Sequence, residues 1–187
     1  MVRKVSFKLY KFNELSDDVK RKVLNTHRYT LVDGHDWYRS IYDLARKVGF
    51  VIESFDLDRW SIKLILCSRV LSSIEEVLKL FSEGSGPYNL AKSYYDKIMK
   101  LANSDEVRSY LEEYPGHDVY DAICNLCLDE DFYDMWVKDM KQVFLNLLED
   151  EFSCLTSDAV IIDMFESNSC EFFESGKVFN KSEFVDK

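Results

Sequence analysis

A chain of 187 residues is long enough for one domain with a substantial core or for two small lobes. Its 47% hydrophobic and 14% aromatic residues argue against global disorder despite a formal net charge of -10, and no run of about 20 uncharged apolar residues offers a membrane span. Two prolines and six glycines leave no flexible Gly/Ser linker.

Val2 to Tyr10 alternates, with Val5, Phe7 and Leu9 on one face and Lys4, Ser6 and Lys8 on the other, the pattern of a strand with one buried side. Lacking a long apolar core behind its basic residues, this segment reads as a strand rather than a signal peptide, and residence in the cytoplasm is expected. Ser16 is a natural N-cap, followed by Asp17 and Asp18, for a helix running to about Tyr29 and burying Val19, Val23 and Leu24. Asp33-Gly34 marks the turn out of it. A second helix is predicted over Asp36 to Val48 with Trp37, Ile41, Leu44 and Val48 inward, closed by Gly49. Phe50 to Leu57 and Trp60 to Leu66 read as strands joined through Asp58-Arg59 as a hairpin.

From Val70 the period becomes helical through Phe81, and Glu83 to Pro87 breaks it. Helical patterns resume over Tyr88 to Leu101, Asp105 to Tyr114 and Asp118 to Leu128, with Pro115-Gly116 between the last two. Phe132, Trp136, Met140, Val143 and Leu147 then define a stripe about 20 residues long. Thr156-Ser157-Asp158 caps a short helix through Phe165, and Cys170 to Phe179 turns at Ser175-Gly176 as a terminal hairpin. The expected class is α+β, an antiparallel sheet built from the N-terminal strand and hairpins with a helix-rich middle and C-terminal part. Residues 1–84 form a mildly basic part carrying the sheet. Residues 85–187 form an acidic, mainly helical part, separate or continuous with the first.

Charge is unevenly placed. Residues 1–103 hold 18 Lys/Arg against 13 Asp/Glu, whereas residues 104–174 hold 3 against 19. Asp129, Glu130, Asp131 and Asp134 open the long helix, where carboxylates suit the dipole; Glu149, Asp150 and Glu151 are placed at its end, where they oppose it. Such a run is either a solvated face or a surface for a basic partner: a nucleic-acid-binding groove, a second copy of the chain, or its own N-terminal half. Direct DNA contact through these carboxylates is disfavoured, because phosphates would meet like charge. The basic patch around Lys20, Arg21 and Lys22 is a candidate for nucleic-acid contact, although three charges on a helix surface are a weak signal.

Catalytic signals are weak. Asp56 and Asp58 beside Arg59, with His35-Asp36 nearby in sequence, suggest either a divalent-ion site or the polar turn of a hairpin, and the turn is the simpler reading. Cys124 and Cys127 form a CxxC without a second pair, so the five cysteines read as core or helix-face thiols. No phosphate loop, nucleophile elbow, HExxH or dinucleotide fingerprint occurs. Neither a cofactor nor a catalytic residue is expected.

Tyr10 to Lys20, Asp36-Trp37-Tyr38 and Phe55 to Arg59, followed by Glu151 to Asp158 and Glu171 to Lys177, together resemble a family of phage and prophage proteins of unknown function. The resemblance implies a mobile-element accessory protein acting inside a bacterial cell. By analogy with small acidic phage proteins it implies an inhibitor of host defence, anti-CRISPR-like, with a Cas9-type nuclease as one candidate target. The competing expectation is a phage regulatory or antitoxin-like protein contacting nucleic acid through Lys20, Arg21 and Lys22.

Overall fold

The computed structural model describes residues 6, 8–33, 36–126 and 130–180. Among these lie eight α-helices and one two-stranded antiparallel sheet, an α+β chain. Contacts divide it into two compact units, residues 1–37 with 150–187, and residues 38–149. The division expected at residues 84/85 falls inside the second unit. There the expected break is a turn over residues 81–85 between two helices that pack on each other, and Gly86 and Pro87 already begin the second helix.

The first unit joins the two ends of the chain. Helix α1 (Asp17–His27) follows a 3-10 turn at Phe12–Glu14, and Ser16 takes the extended N-cap conformation. Phe12, Leu15 and Val23 meet Ile161, Phe165 and Phe172 in one core, with Phe165 and Phe172 edge to face at 5.1 Å. Tyr10 and Phe172 exchange backbone hydrogen bonds of 2.9 Å, and Phe172 also bridges Val178. Among the described residues Tyr10, from the expected N-terminal strand, thus pairs with the C-terminal hairpin, and the α+β class holds. The aromatic side chains that complete the Phe12 core, Phe165 and Phe172, come from the other end of the sequence. Lys4, Val5 and Phe7 of that expected strand lie outside the described residues. Arg28 ties the segment before the last helix in place, donating to Thr156 O at 2.9 Å and pairing with Asp158 at 2.8 Å.

The second unit opens with α2 (Arg39–Lys47), which packs on β1 (Phe50–Asp56). That strand pairs with β2 (Ser61–Leu66), bringing Phe50 opposite Leu66 and Ile52 opposite Leu64, with a bulge at Glu53. All four of these side chains are buried. Helices α3 (Val70–Leu80) and α4 (Gly86–Ala102) follow, then α5 (Asp105–Glu113), α6 (Val119–Leu126) and α7 (Glu130–Leu155). Ser85 and Ser104 cap α4 and α5 through their hydroxyls, each accepting from an amide three residues on at 3.4 Å. Beyond α7, which passes from the second unit into the first, Ser157 does the same for α8 (Asp158–Ser167).

Helix α7 departs from its expected stripe. Phe132, Trp136 and Met140 are buried, but the next buried residues are Phe144, Leu145 and Leu148 rather than Val143 and Leu147. A four-residue step advances about 40° around a helix, so the buried face winds round α7. It does so because the neighbours change: Tyr94 meets Phe132 and Trp136 at the start, and Phe50 meets Trp136 and Phe144 further on. Four cysteines are free; Cys67 and Cys154 are exposed, Cys124 and Cys170 are half-buried with Cys170 packed against the Phe12 core, and Cys127 lies outside the described residues.

One buried polar contact has a pH consequence. The Tyr94 hydroxyl donates to Asp139 Oδ2 at 2.7 Å, and burial, then this hydrogen bond, raise its pKa well above the ordinary tyrosine value. A raised folded-state pKa means the contribution is complete below the unfolded value of about 10 and is lost as pH climbs above it. Tyr94→Phe should therefore lower stability by about 1–3 kcal/mol at pH 7 and flatten the loss between pH 9 and 11, measured by urea melts across that range. An unchanged alkaline slope would contradict this role.

Candidate functional site

The acidic segment folds into α5, α6 and the start of α7. Residues 104–134 hold ten Asp/Glu and one Lys/Arg, Arg108, and that guanidinium is taken by Asp105 at 3.1 Å. Some of these carboxylates are committed to local structure. Glu106 accepts from its own backbone amide and from Ser104, which hold its carboxyl below the usual range. Asp118 and Asp121 cap α6 reciprocally: Asp121 N donates to Asp118 Oδ1 at 2.8 Å, and Asp118 N to Asp121 Oδ2 at 3.4 Å. Asp131 and Asp134 are exposed on the first turns of α7, where the dipole favours them. Asp129 and the side chain of Glu130 lie outside the described residues.

Apolar side chains stud this surface. Tyr114, Val119, Leu126, Tyr133 and Met135 are five of the nine large hydrophobic residues exposed among the described residues. Pro115-Gly116 turns the chain so that His117 comes back against α5: Tyr110 and Tyr114 pack at 4.8 Å between ring centres, and His117 lies 5.6 Å from the first and 5.8 Å from the second. The Tyr110 hydroxyl sits 3.2 Å from His117 Nδ1 and accepts from Asn125 of α6 at 3.0 Å. This three-ring cluster stiffens the α5–α6 corner. The sequence signal for it was the four-residue spacing of Tyr110 and Tyr114 before a Pro-Gly turn, which the charge count alone passes over.

The other acidic residues do not join this face. Fifteen residues of helix separate Asp134 from Glu149, about 22 Å at 1.5 Å per residue. Helix α7 runs on to Leu155, so Glu149, Asp150 and Glu151 sit more than a turn before its end and not at it. The expected opposition to the dipole is correspondingly corrected, since that effect is confined to the last turn.

The basic face of α1 is partly neutralised. Lys20 Nζ lies 3.7 Å from Asp17, and Arg21 pairs with Asp18, leaving Lys22 without an ion pair among the described residues. Asp56 and Asp58 do not form a paired site. Asp56 ends β1 and accepts from Arg59 N at 3.0 Å, with Arg59 Nε 3.6 Å away, while Asp58 is in the turn. His35 lies outside the described residues. Among the described residues no three His, Cys, Asp or Glu side chains converge as a metal centre, and no helix is long and apolar enough to cross a membrane.

No family model matches the chain, and neither a curated protein nor a solved structure matches it. Charge and geometry therefore carry the functional reading.

Proposed function

We propose that this chain is a phage or mobile-element accessory protein that acts by binding: a non-enzymatic inhibitor of a host defence protein that handles nucleic acid, with a Cas9-type nuclease as one target. The observation that carries the reading is the stretch 104–134, which holds ten Asp/Glu against one Lys/Arg in sequence and whose described residues include exposed Asp131 and Asp134 together with exposed Tyr114 and Tyr133, with exposed Met135 following directly. A positively charged groove that normally holds phosphates is its electrostatic complement. Steering by such a field speeds encounter by about 10–1,000-fold at low salt, and aromatic and methionine side chains supply the apolar part of the contact. Contact with nucleic acid through α1 is the weaker reading, because Asp17 and Asp18 already occupy two of its three cations.

The test is cleavage of a linear DNA target by a Cas9-type nuclease in the presence of increasing amounts of the protein. Inhibition is expected, weakening as salt rises. Glu112→Gln, Glu113→Gln, Asp131→Asn and Asp134→Asn combined should raise the inhibitory concentration at least tenfold, roughly 1.4 kcal/mol. These four leave the Asp118–Asp121 cap intact. Cleavage unaffected by a large excess of the protein would remove this target, and equal inhibition by the variant would remove the face.

A further inference from the structure

Helix α7 carries an exposed stripe that leads away from its acidic start. Steps of four, three and four residues keep to one side of a helix, so Asp131, Met135, Lys138 and Gln142 lie within about 60° of one another, and all four are exposed. Asp131 and Gln142 stand about 16 Å apart along the axis. At the far end of the stripe the Trp60 indole Nε1 donates to Gln142 Oε1 at 3.4 Å, and Gln142 Nε2 donates in turn to Asn146 Oδ1 at 2.9 Å. The turn between β1 and β2 thereby lays an indole against the same side of α7 that Asp131 and Met135 occupy.

Tryptophan is an unusual occupant of this turn. The Trp60 amide donates to Leu57 O at 3.2 Å, and its φ is +51°, in the left-handed region that suits glycine and penalises a bulky side chain. Yet the residue is not drawn into the core: it is 44% exposed, comparable with Met135 at 48%. Such backbone strain under a large exposed ring is a cost that the turn alone does not explain. The carboxamides of Gln142 and Asn146 hold the ring in place, so little side-chain freedom is lost when a partner covers it.

We propose that Trp60 is the aromatic anchor of the surface that binds the basic, nucleic-acid-handling protein, a contact that rests on the function proposed above. The surface then runs along α7 from Asp131 and Asp134, over Met135, to the indole. Its complement is a protein face with cations at one end and an apolar slot about 16 Å away. Charge selects a protein over nucleic acid here, because phosphates would meet Asp131 and Asp134. Tryptophan is among the residues that carry most of the energy at such contacts, whereas rim carboxylates chiefly set encounter rate and salt dependence.

The test is cleavage of linear DNA by a Cas9-type nuclease at about 50 and 200 mM salt. It compares the native chain, Trp60→Gly, Trp60→Asn and the Glu112→Gln, Glu113→Gln, Asp131→Asn, Asp134→Asn variant. Glycine and asparagine both accept a left-handed φ, so the Trp60 variants keep the turn, which thermal melts verify. Each should raise the inhibitory concentration at least tenfold at both salts and leave the ratio between the two salts as in the native chain. The four-carboxylate variant should instead lose most of that salt dependence. Inhibition unchanged by either Trp60 variant would overturn the anchor and leave the acidic face standing, whereas no inhibition by the native chain would overturn both. A dimer in sedimentation velocity that Trp60→Gly dissociates would assign the indole to a second copy of the chain. Quenching of its fluorescence by single-stranded DNA would assign it to nucleic acid, and either result would overturn the proposal.

Discussion

Trp136→Ala should lower the unfolding free energy by about 3–5 kcal/mol, read from urea melts, because it removes the side chain on which three elements converge. Trp136 is fully buried, 6.4 Å from the Phe50 ring on β1 and 5.0 Å from the Tyr94 ring on α4. Its indole N–H donates to Ser73 Oγ at 3.2 Å, and that fully buried hydroxyl donates onward to the carbonyl of Val48 at 2.7 Å. Alanine leaves a large cavity and takes away the donor to Ser73. Trp136→Phe separates these effects: it keeps an aromatic ring and should cost clearly less. The Ser73–Val48 bond survives both changes, so the serine is never wholly orphaned. Since small domains are stable by only about 5–15 kcal/mol, the alanine change takes a large share of the margin. A loss under about 1 kcal/mol would show that α7 does not organise this core.

Gly49→Ala should destabilise by about 2 kcal/mol or more, for two reasons that a second substitution separates. Gly49 ends α2 with a φ of +84°, a conformation that costs a residue with a Cβ. In addition, a Cβ there would lie 1.9 Å from Ser68 Oγ and 2.7 Å from Ser68 Cβ. Rotation relieves the first contact but not the second, so the backbone has to move, although Gly49 O is held by Cys67 N at 2.8 Å. Ser68→Gly in the Gly49→Ala background should recover the steric part and leave the backbone part. Thermal melts that place the single and double variants together would contradict the steric account.

Local chemistry explains which elements were legible in sequence. Ser16 and Ser157 ahead of aspartates, the glycine after Val48 and the alternation in Phe50–Leu66 each act within a few residues, and α1, α8, α2 and the hairpin follow from them. The pairing of Tyr10 with Phe172 joins opposite ends of the chain, which periodicity does not encode. The winding of the α7 core face depends on Phe50 and Tyr94, supplied by other elements, so a straight stripe was the natural but mistaken expectation. Two of the segments that carry the phage resemblance, Tyr10 to Lys20 and Glu171 to Lys177, supply Phe12, Leu15 and Phe172, half of the buried core of the first unit. They speak to how that unit folds more than to what the acidic face binds.

The candidate site was legible as charge but not as shape. A count finds the excess of carboxylates after residue 104, yet it treats Asp118, which caps α6, like Asp134, which faces solvent. It also groups Asp131 with Glu149, although the helix rise sets them far apart. The Tyr110–Tyr114–His117 corner, which gives the face its apolar anchor, depends on a turn that a charge count ignores.

The central claim is that the face of α5, α6 and early α7 recognises a basic, nucleic-acid-handling protein. The most direct measurement is parallel affinity capture from a bacterial host lysate cleared of nucleic acid, using the native chain and the Glu112→Gln, Glu113→Gln, Asp131→Asn, Asp134→Asn variant, each at about 50 and 200 mM salt. The native chain should retain a nucleic-acid-handling protein at the lower salt, lose much of it at the higher, and the variant should retain little at either. Equal recovery by both chains, insensitive to salt, would contradict the claim.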